Sequence, residues 1–253
     1  MLTTIEYDGP GEVPLLIAHG LFGSARNWNV IAKRLSAHCR VLAVDMRNHG
    51  TSPWEASHSY PDLAGDLAEV ISAHGPRAHV LGHSMGGKAA MCLALRHPSK
   101  IDRLCIADIA PTPYGHSQLP VVAALKSVDL SQVSRRSDAD AQLAAHIPEA
   151  PLRAFLLQSL EVTTEGARWR LNLAALEDQM PQIMGFPEQT ETYDGPALFL
   201  TGARSDYVQA SHRPGIRALF SHASFAQIPN AGHWLHAEAP DAFLEAILRD
   251  MLP

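Results

Sequence analysis

Short apolar runs recur along the chain and alternate with segments whose apolar residues are spaced as on one face of a helix. The runs are continuous, which is typical of parallel strands that helices cover on both faces. They predict buried strands at 13–19, 40–45, 78–83, 104–109, 196–202 and 223–229, and residues 2–9 could add an antiparallel edge strand. The helical segments are 27–37, 60–74, 85–96, 208–220 and 240–251. This alternation predicts an α/β protein with a doubly wound, mostly parallel sheet.

The interval 111–194 departs from this alternation of strands and helices and is too long for a simple connection. Its apolar residues recur at helical spacing, which predicts helices at 119–128, 138–147, 151–160 and 168–180. We therefore expect residues 1–110 and 195–253 to form the core and residues 111–194 to form a helical cap inserted between two strands. Such a cap would cover the carboxyl edge of the sheet, where open α/β sheets bind ligands.

Composition narrows the class of protein. The chain has 253 residues, of which 46% are hydrophobic, and a net charge of −6 with no long basic run, so nucleic acid is not an expected partner. Three cysteines without framework spacing favour a reducing compartment. The N-terminus lacks a secretory pattern, and no apolar run approaches the ~20 residues of a membrane helix. We expect a soluble cytoplasmic protein that does not bind membranes.

The segment "VLGHSMGG" (80–87) carries the clearest chemical signal. It follows a predicted strand, opens a predicted helix and satisfies G-x-S-x-G with Gly82, Ser84 and Gly86. Small residues on either side of a serine allow a sharp, strained turn that exposes its hydroxyl. In this strand–turn–helix context we predict that Ser84 is a nucleophile.

Four motifs together indicate a family. "LLIAHGLFGSARNW", "VLAVDMRNHGTSP", "GHSMGG" and "AGHWLHAEAP" follow one another in the order found in α/β-hydrolases. "HGLFGS", "ADIAP" and "WRLNLAAL" further resemble the small esterases and thioesterases of the YbfF-like and abhydrolase-11 type. The resemblance covers the chain from end to end. It implies the α/β-hydrolase fold and a serine esterase.

The general base is predicted to be His233. It lies in a glycine-containing loop after the last predicted strand, from which an imidazole can reach Ser84 across the sheet edge. His236, three residues on, is expected to cap or pack against the last helix instead.

Two carboxylates compete to orient His233. Most α/β-hydrolases carry the acid in a G-x-x-D turn after the penultimate strand, but here Ser205 stands at that position and Asp206 follows one residue late. Asp108 ends the strand next to the one that carries Ser84, and the YbfF-like proteins that this chain resembles have an aspartate there. We predict Asp108 as the acid, with Asp206 as the alternative and Ser205 as a supporting hydrogen-bond partner.

An ester hydrolase also needs donors for the oxyanion. The N–H of Met85, at the start of a helix, is one expected donor. The resemblance implies Leu21 N–H as the second, with Phe22 as a neighbouring candidate that the sequence does not separate from it. The side chains of Phe22 and Trp234 are expected to line the substrate pocket.

These residues predict a serine carboxylesterase that hydrolyses short- to medium-chain acyl esters, or acyl thioesters, through a Ser-His-Asp triad and an acyl-enzyme. No cofactor is needed, and no histidine or carboxylate cluster has metal-ligand spacing. Perhydrolases and C–C bond hydrolases use the same triad, so both enzyme classes stay as alternatives. A non-catalytic ligand-binding or sensor protein on the same fold is the alternative from another class. The oligomeric state is not predicted.

Overall fold

The computed structural model describes residues 1–252 and is built around a seven-stranded sheet. The strands are β1 (Thr4–Tyr7), β2 (Leu15–Ala18), β3 (Val41–Val44), β4 (Ala78–His83), β5 (Ile101–Ala107), β8 (Ala197–Gly202) and β9 (Ala223–Ile228), while β6 (Leu160–Thr163) and β7 (Gly166–Trp169) form a separate hairpin. The spatial order is β1-β3-β2-β4-β5-β8-β9. Only β1 is antiparallel to its neighbour in this sheet. The predicted mostly parallel sheet and its edge strand are confirmed.

Central strands are buried on both faces. In β2, Leu15 and Ile17 belong to the apolar core on one face of the sheet, and Leu16 and Ala18 belong to the core on the other. Successive side chains of a strand point to opposite faces, so a strand between two cores reads as a continuous apolar run. In β9 only Ile228 is buried. The expectation that 223–229 is covered on both faces is wrong, because β9 pairs with β8 alone at the sheet edge.

Helices cover both faces of the sheet. They are α1 (Asn29–Leu35), α2 (Tyr60–His74), α3 (Met85–Arg96), α4 (Leu119–Ser127), α5 (Arg136–Leu143), α6 (Ala150–Leu156), α7 (Leu173–Asp178), α8 (Met180–Met184), α9 (Arg213–Leu219), α10 (Leu235–Glu238) and α11 (Pro240–Met251). α2 and α3 pack on one face, and α1 and α11 pack on the other. Along residues 1–252 none of these helices has the length and apolar character that crossing a bilayer requires.

The strand order creates a switch point beside β2. β3 and β4 are consecutive strands of this sheet, yet they lie on opposite sides of β2. At such a point the connections leave the sheet in opposite directions and open a crevice at the carboxyl ends of the strands. The loop after β2 and the turn after β4, which carries Ser84, meet at this crevice.

Between β5 and β8 the chain forms α4 to α8 and the β6–β7 hairpin. The predicted helix at 168–180 is wrong in its first half, where Trp169 ends β7 and α7 begins only at Leu173. Asn172 explains the boundary, because its side chain accepts the Ala175 N–H at 3.3 Å and so caps the first turn of α7.

Candidate active site

Ser84 lies in a sharp turn between β4 and α3. Its backbone has φ 53° and ψ −118°, a conformation that costs a residue with a side chain about 1–3 kcal/mol. A Cβ atom at Gly82 would lie 2.3 Å from the Gly86 carbonyl oxygen, and one at Gly86 would lie 2.4 Å from the Ala18 carbonyl oxygen. Glycine at both positions therefore lets β2, β4 and α3 approach closely enough to hold the strained turn.

Three side chains that are far apart in the sequence form a hydrogen-bonded chain above the sheet edge. Ser84 Oγ lies 3.1 Å from His233 Nε2, and His233 Nδ1 lies 2.7 Å from Asp108 Oδ2. An ionised carboxylate only accepts hydrogen bonds, so Nδ1 carries the proton and Nε2 is free to accept the Ser84 hydroxyl. This is the geometry that a serine nucleophile and its general base require.

Asp108 is fully buried, with 0% of its surface exposed. Besides His233, its carboxylate accepts the Gly202 N–H at 3.1 Å and the Ser205 hydroxyl. Its φ of 55° turns the side chain out of the end of β5 towards the loop after β8. Asp206, one residue after Ser205, is exposed and does not contact His233. Of the two candidate acids, Asp108 alone reaches the imidazole.

The two candidate donors in the loop after β2 differ in their partners. Phe22 N–H donates to His49 Nε2 at 3.1 Å and is therefore occupied. Leu21 N–H donates to no protein acceptor within residues 1–252. Met85 is the first residue of α3, where an N–H group has no partner inside the helix. The backbone N–H groups of Leu21 and Met85 are thus both available as donors beside Ser84.

A cavity of about 250 Å³ opens over Ser84. Leu21, Phe22, Met85 and Trp234 all line it. The segment between β5 and β8 contributes a further apolar set, Leu152, Phe155, Ile183 and Met184. The cavity is mostly apolar, as suits an acyl group, and the Ser84 hydroxyl and the His233 imidazole are among the polar groups that line it.

Two residues that support the imidazole were not found from the sequence. The Tyr207 ring stacks on the His233 ring, with centroids 4.0 Å apart and planes inclined by 20°. His83 Nε2 donates to the His233 carbonyl oxygen at 2.8 Å and so ties the turn after β4 to the base loop. Sequence position places His83 beside Ser84 but does not say where its side chain points.

Several histidines near the site are held neutral by burial. Desolvation lowers the pKa of His83 well below its usual value and lowers that of His236 to about 3. The His236 ring stacks on Trp28, with centroids 4.1 Å apart, so it packs as expected. His19 accepts the Met46 N–H at 2.9 Å. None of these three imidazoles contacts the Ser84 hydroxyl, which bonds His233.

Other reactive groups in the described chain are poor alternatives to Ser84. Cys39, Cys92 and Cys105 are buried free thiols whose pKa values are raised by burial, and a protonated thiol is a weak nucleophile. Within residues 1–252 there is no group of three or more histidine, cysteine or acidic side chains that could hold a metal ion.

Lys88 is an unexpected buried charge one helical turn after Ser84. It is 1% exposed, and its Nζ donates to the carbonyl oxygens of Met184 at 3.1 Å and Gly185 at 2.5 Å. It also lies over the rings of Tyr60 and Tyr114, 5.7 and 4.8 Å from their centroids. Lys88 thus fastens the end of α8 to α3. Burial lowers its pKa to about 7.

This pKa predicts a pH-dependent stability. The folded protein releases the Lys88 proton near pH 7, whereas the unfolded chain keeps it up to about pH 10.5. The unfolded state therefore binds more protons in this range, so Lys88 makes the free energy of unfolding rise with pH, by at most about 1.4 kcal/mol per unit. In urea denaturation from pH 7 to 10, we expect Lys88→Met to remove this rise. Lys33→Met, an exposed control on α1, should keep it, and a slope unchanged in Lys88→Met would contradict the prediction.

The fold and this arrangement define a class of protein. A family model for the α/β hydrolase fold matches residues 13–240. The chain therefore belongs to the α/β-hydrolase family, and the predicted family and fold are confirmed. The arrangement around Ser84 lies where the strand order opens the crevice.

Named relatives narrow the class. The chain is 43% identical over 251 residues to the sn-1-specific diacylglycerol lipase ABHD11 of Mus musculus, covering 95% of this chain and 81% of that protein. It is 41% identical to esterase YbfF of Escherichia coli (strain K12), covering 93% and 92% respectively. A solved marine microorganism esterase superposes with a TM-score of 0.94 at 39% identity and 99% coverage of both chains. The predicted enzyme class, a hydrolase of the esterase and lipase kind, is confirmed.

Proposed function

We propose that this chain is a serine carboxylesterase that hydrolyses short- to medium-chain acyl esters, and acyl thioesters by the same chemistry, through an acyl-enzyme. The observation that carries the proposal is the hydrogen-bonded chain from Ser84 through His233 to buried Asp108 at the mouth of an apolar cavity. The names of the relatives, an esterase and a diacylglycerol lipase, support ester substrates.

In the first half of the reaction, Ser84 Oγ attacks the acyl carbonyl while His233 Nε2 takes the hydroxyl proton. Asp108 holds Nδ1–H and stabilises the imidazolium that forms. The tetrahedral oxyanion receives hydrogen bonds from the N–H groups of Leu21 and Met85. Collapse breaks the ester C–O bond, or the thioester C–S bond, and His233 passes its proton to the leaving group.

In the second half, water attacks the acyl-enzyme and gives a proton to His233 Nε2. The second tetrahedral intermediate uses the same two N–H donors. Its collapse releases the carboxylic acid and returns the proton to Ser84 Oγ, so the enzyme is regenerated. Losing one oxyanion donor typically costs ~3–4 kcal/mol of barrier stabilisation, so these backbone groups contribute substantially to the rate.

Residues 111–194 serve as the cap in this proposal. Their side chains Leu152, Phe155, Ile183 and Met184 line the cavity, so they set how long an acyl chain fits. A bounded, mostly apolar cavity of about 250 Å³ supports an upper limit on acyl length in the short- to medium-chain range.

An acyl chain-length series tests the proposal. With p-nitrophenyl esters and acyl-CoAs from two to sixteen carbons, we expect kcat/KM to be highest for about four to eight carbons and to fall beyond, because longer chains exceed the cavity. Ser84→Ala gives the background rate. A profile that stays flat to sixteen carbons would contradict the acyl limit. No turnover of any ester, together with no labelling by a serine-directed phosphonate, would indicate a non-catalytic binding protein.

A further inference from the structure

Phe22 is held in a left-handed backbone conformation in the loop that follows β2. Its φ is 63°, which is unusual for a bulky side chain and persists only where the surroundings hold it. Side chains from distant parts of the chain bind both of its backbone polar groups. Its N–H donates to His49 Nε2 at 3.1 Å, and its carbonyl oxygen accepts the Ser159 hydroxyl at 2.8 Å. The two peptide planes that follow the one carrying the Leu21 N–H are therefore fixed.

The partners of His49 define its tautomer. Its Nδ1 lies 2.9 Å from the Arg47 carbonyl oxygen, which can only accept, so Nδ1 carries the proton. Its Nε2 faces the Phe22 N–H and must offer a lone pair. Only a neutral imidazole with the proton on Nδ1 makes both bonds. A protonated ring would point a second N–H at the Phe22 amide.

The surroundings keep His49 neutral and in place. The residue is 0% exposed, its N–H donates to the Met46 carbonyl oxygen at 3.0 Å, and its backbone bridges to Leu171. Burial and the nearby rings of His19 and His58 hold its pKa well below the usual value. The acceptor on Nε2 is therefore present throughout the neutral range.

We propose that His49 is a positioning residue for the oxyanion hole. By accepting the Phe22 N–H, it takes that donor away from the substrate and fixes the loop so that the Leu21 N–H faces the oxygen of an acyl group on Ser84. This inference rests on the proposed esterase function. It adds which of the two adjacent N–H groups, Leu21 or Phe22, binds the oxyanion and which residue selects that donor. Hydrogen-bond donors stabilise a transition state most when they are fixed before the reaction begins, so the rigidity of this loop matters to the chemical step.

Two substitutions at His49 distinguish the loss of the hydrogen-bond acceptor from the loss of the imidazole ring. His49→Leu removes the acceptor, and His49→Gln can return an oxygen near the position of Nε2. With p-nitrophenyl butyrate we expect His49→Leu to lower kcat tenfold to a hundredfold, with KM changed less than threefold, because the misplaced donor acts mainly in the transition state. His49→Gln should recover kcat to within about threefold of the wild type.

A boronic acid with a butyl chain provides a readout that a general loss of packing would not reproduce. Its tetrahedral adduct with Ser84 places an oxygen in the oxyanion hole, so its inhibition constant should rise in His49→Leu by the same factor by which kcat falls. His79→Leu is the matched control. His79 lies at the start of β4, at the end of the strand away from Ser84, and its Nδ1 faces Asp102 Oδ2 at 3.3 Å. It should keep kcat and boronate inhibition within about threefold of the wild type.

These experiments distinguish a failure of the proposed function from a failure of the role of His49. A wild-type protein without esterase activity would contradict the proposed function itself. With an active wild type, three results would overturn the role of His49: an unchanged kcat in His49→Leu, a loss confined to KM, or an equal loss in His79→Leu. If His49→Leu does not fold, ¹⁵N NMR of the wild type still tests the contact. We expect a neutral imidazole with the proton on Nδ1 and a coupling between Nε2 and the Phe22 amide, and an Nε2–H tautomer would overturn the role.

Discussion

Replacing Ser84 with alanine is expected to lower kcat for p-nitrophenyl butyrate by about 10⁶-fold, the scale measured when the serine of a Ser-His-Asp triad is removed. The substitution removes the only atom that forms the acyl-enzyme, while the strained turn and the Leu21 and Met85 donors remain. A small rate above that of water should therefore persist. KM should change little, because the acyl cavity is unaltered.

The measurement combines steady-state hydrolysis with labelling by a serine-directed phosphonate. Wild-type protein should incorporate one equivalent, and Ser84→Ala should incorporate none. Ser72→Ala, on the exposed side of α2, controls for serine removal as such and should match the wild type. Retention of one per cent or more of kcat by purified Ser84→Ala would show that another group attacks the ester.

Replacing Asp108 with asparagine is expected to lower kcat by about 10⁴-fold, as the equivalent change does in a Ser-His-Asp protease. An asparagine amide can donate to His233 Nδ1, which would place the imidazole proton on Nε2 and leave no acceptor for the Ser84 hydroxyl. The volume hardly changes, so the effect should be on kcat. The Gly202 N–H and the Ser205 hydroxyl would also lose the charge that they bind.

Asp206→Asn is the natural comparison for this experiment. Its side chain is exposed and does not contact His233, so we expect kcat within about twofold of the wild type. Thermal unfolding of both variants separates misfolding from lost catalysis. If Asp206→Asn loses most of kcat while Asp108→Asn keeps it, the acid has been misassigned.

Secondary structure was predictable where local signals agreed. The predicted bounds of α2, α3 and α11 match the structure, because each has helical apolar spacing and a clear start such as Ser59, whose side chain accepts the Asp62 N–H before α2. The hairpin of β6 and β7 was missed. Its strands have four residues each, too few for a period-two pattern to stand out beside the apolar spacing of α7.

By itself, the sequence determined the sheet, the strained serine turn and the loop that supplies His233, since these depend on residues close together in the chain. It did not separate two candidate acids for His233, or two adjacent N–H groups as candidate oxyanion donors. Only the tertiary structure shows which acid contacts the imidazole, because Asp108 and His233 are 125 positions apart and meet only when β5 and the loop after β9 lie at one sheet edge. Phe22 and His49 are 27 positions apart, and only packing shows that one N–H is taken and its neighbour is free.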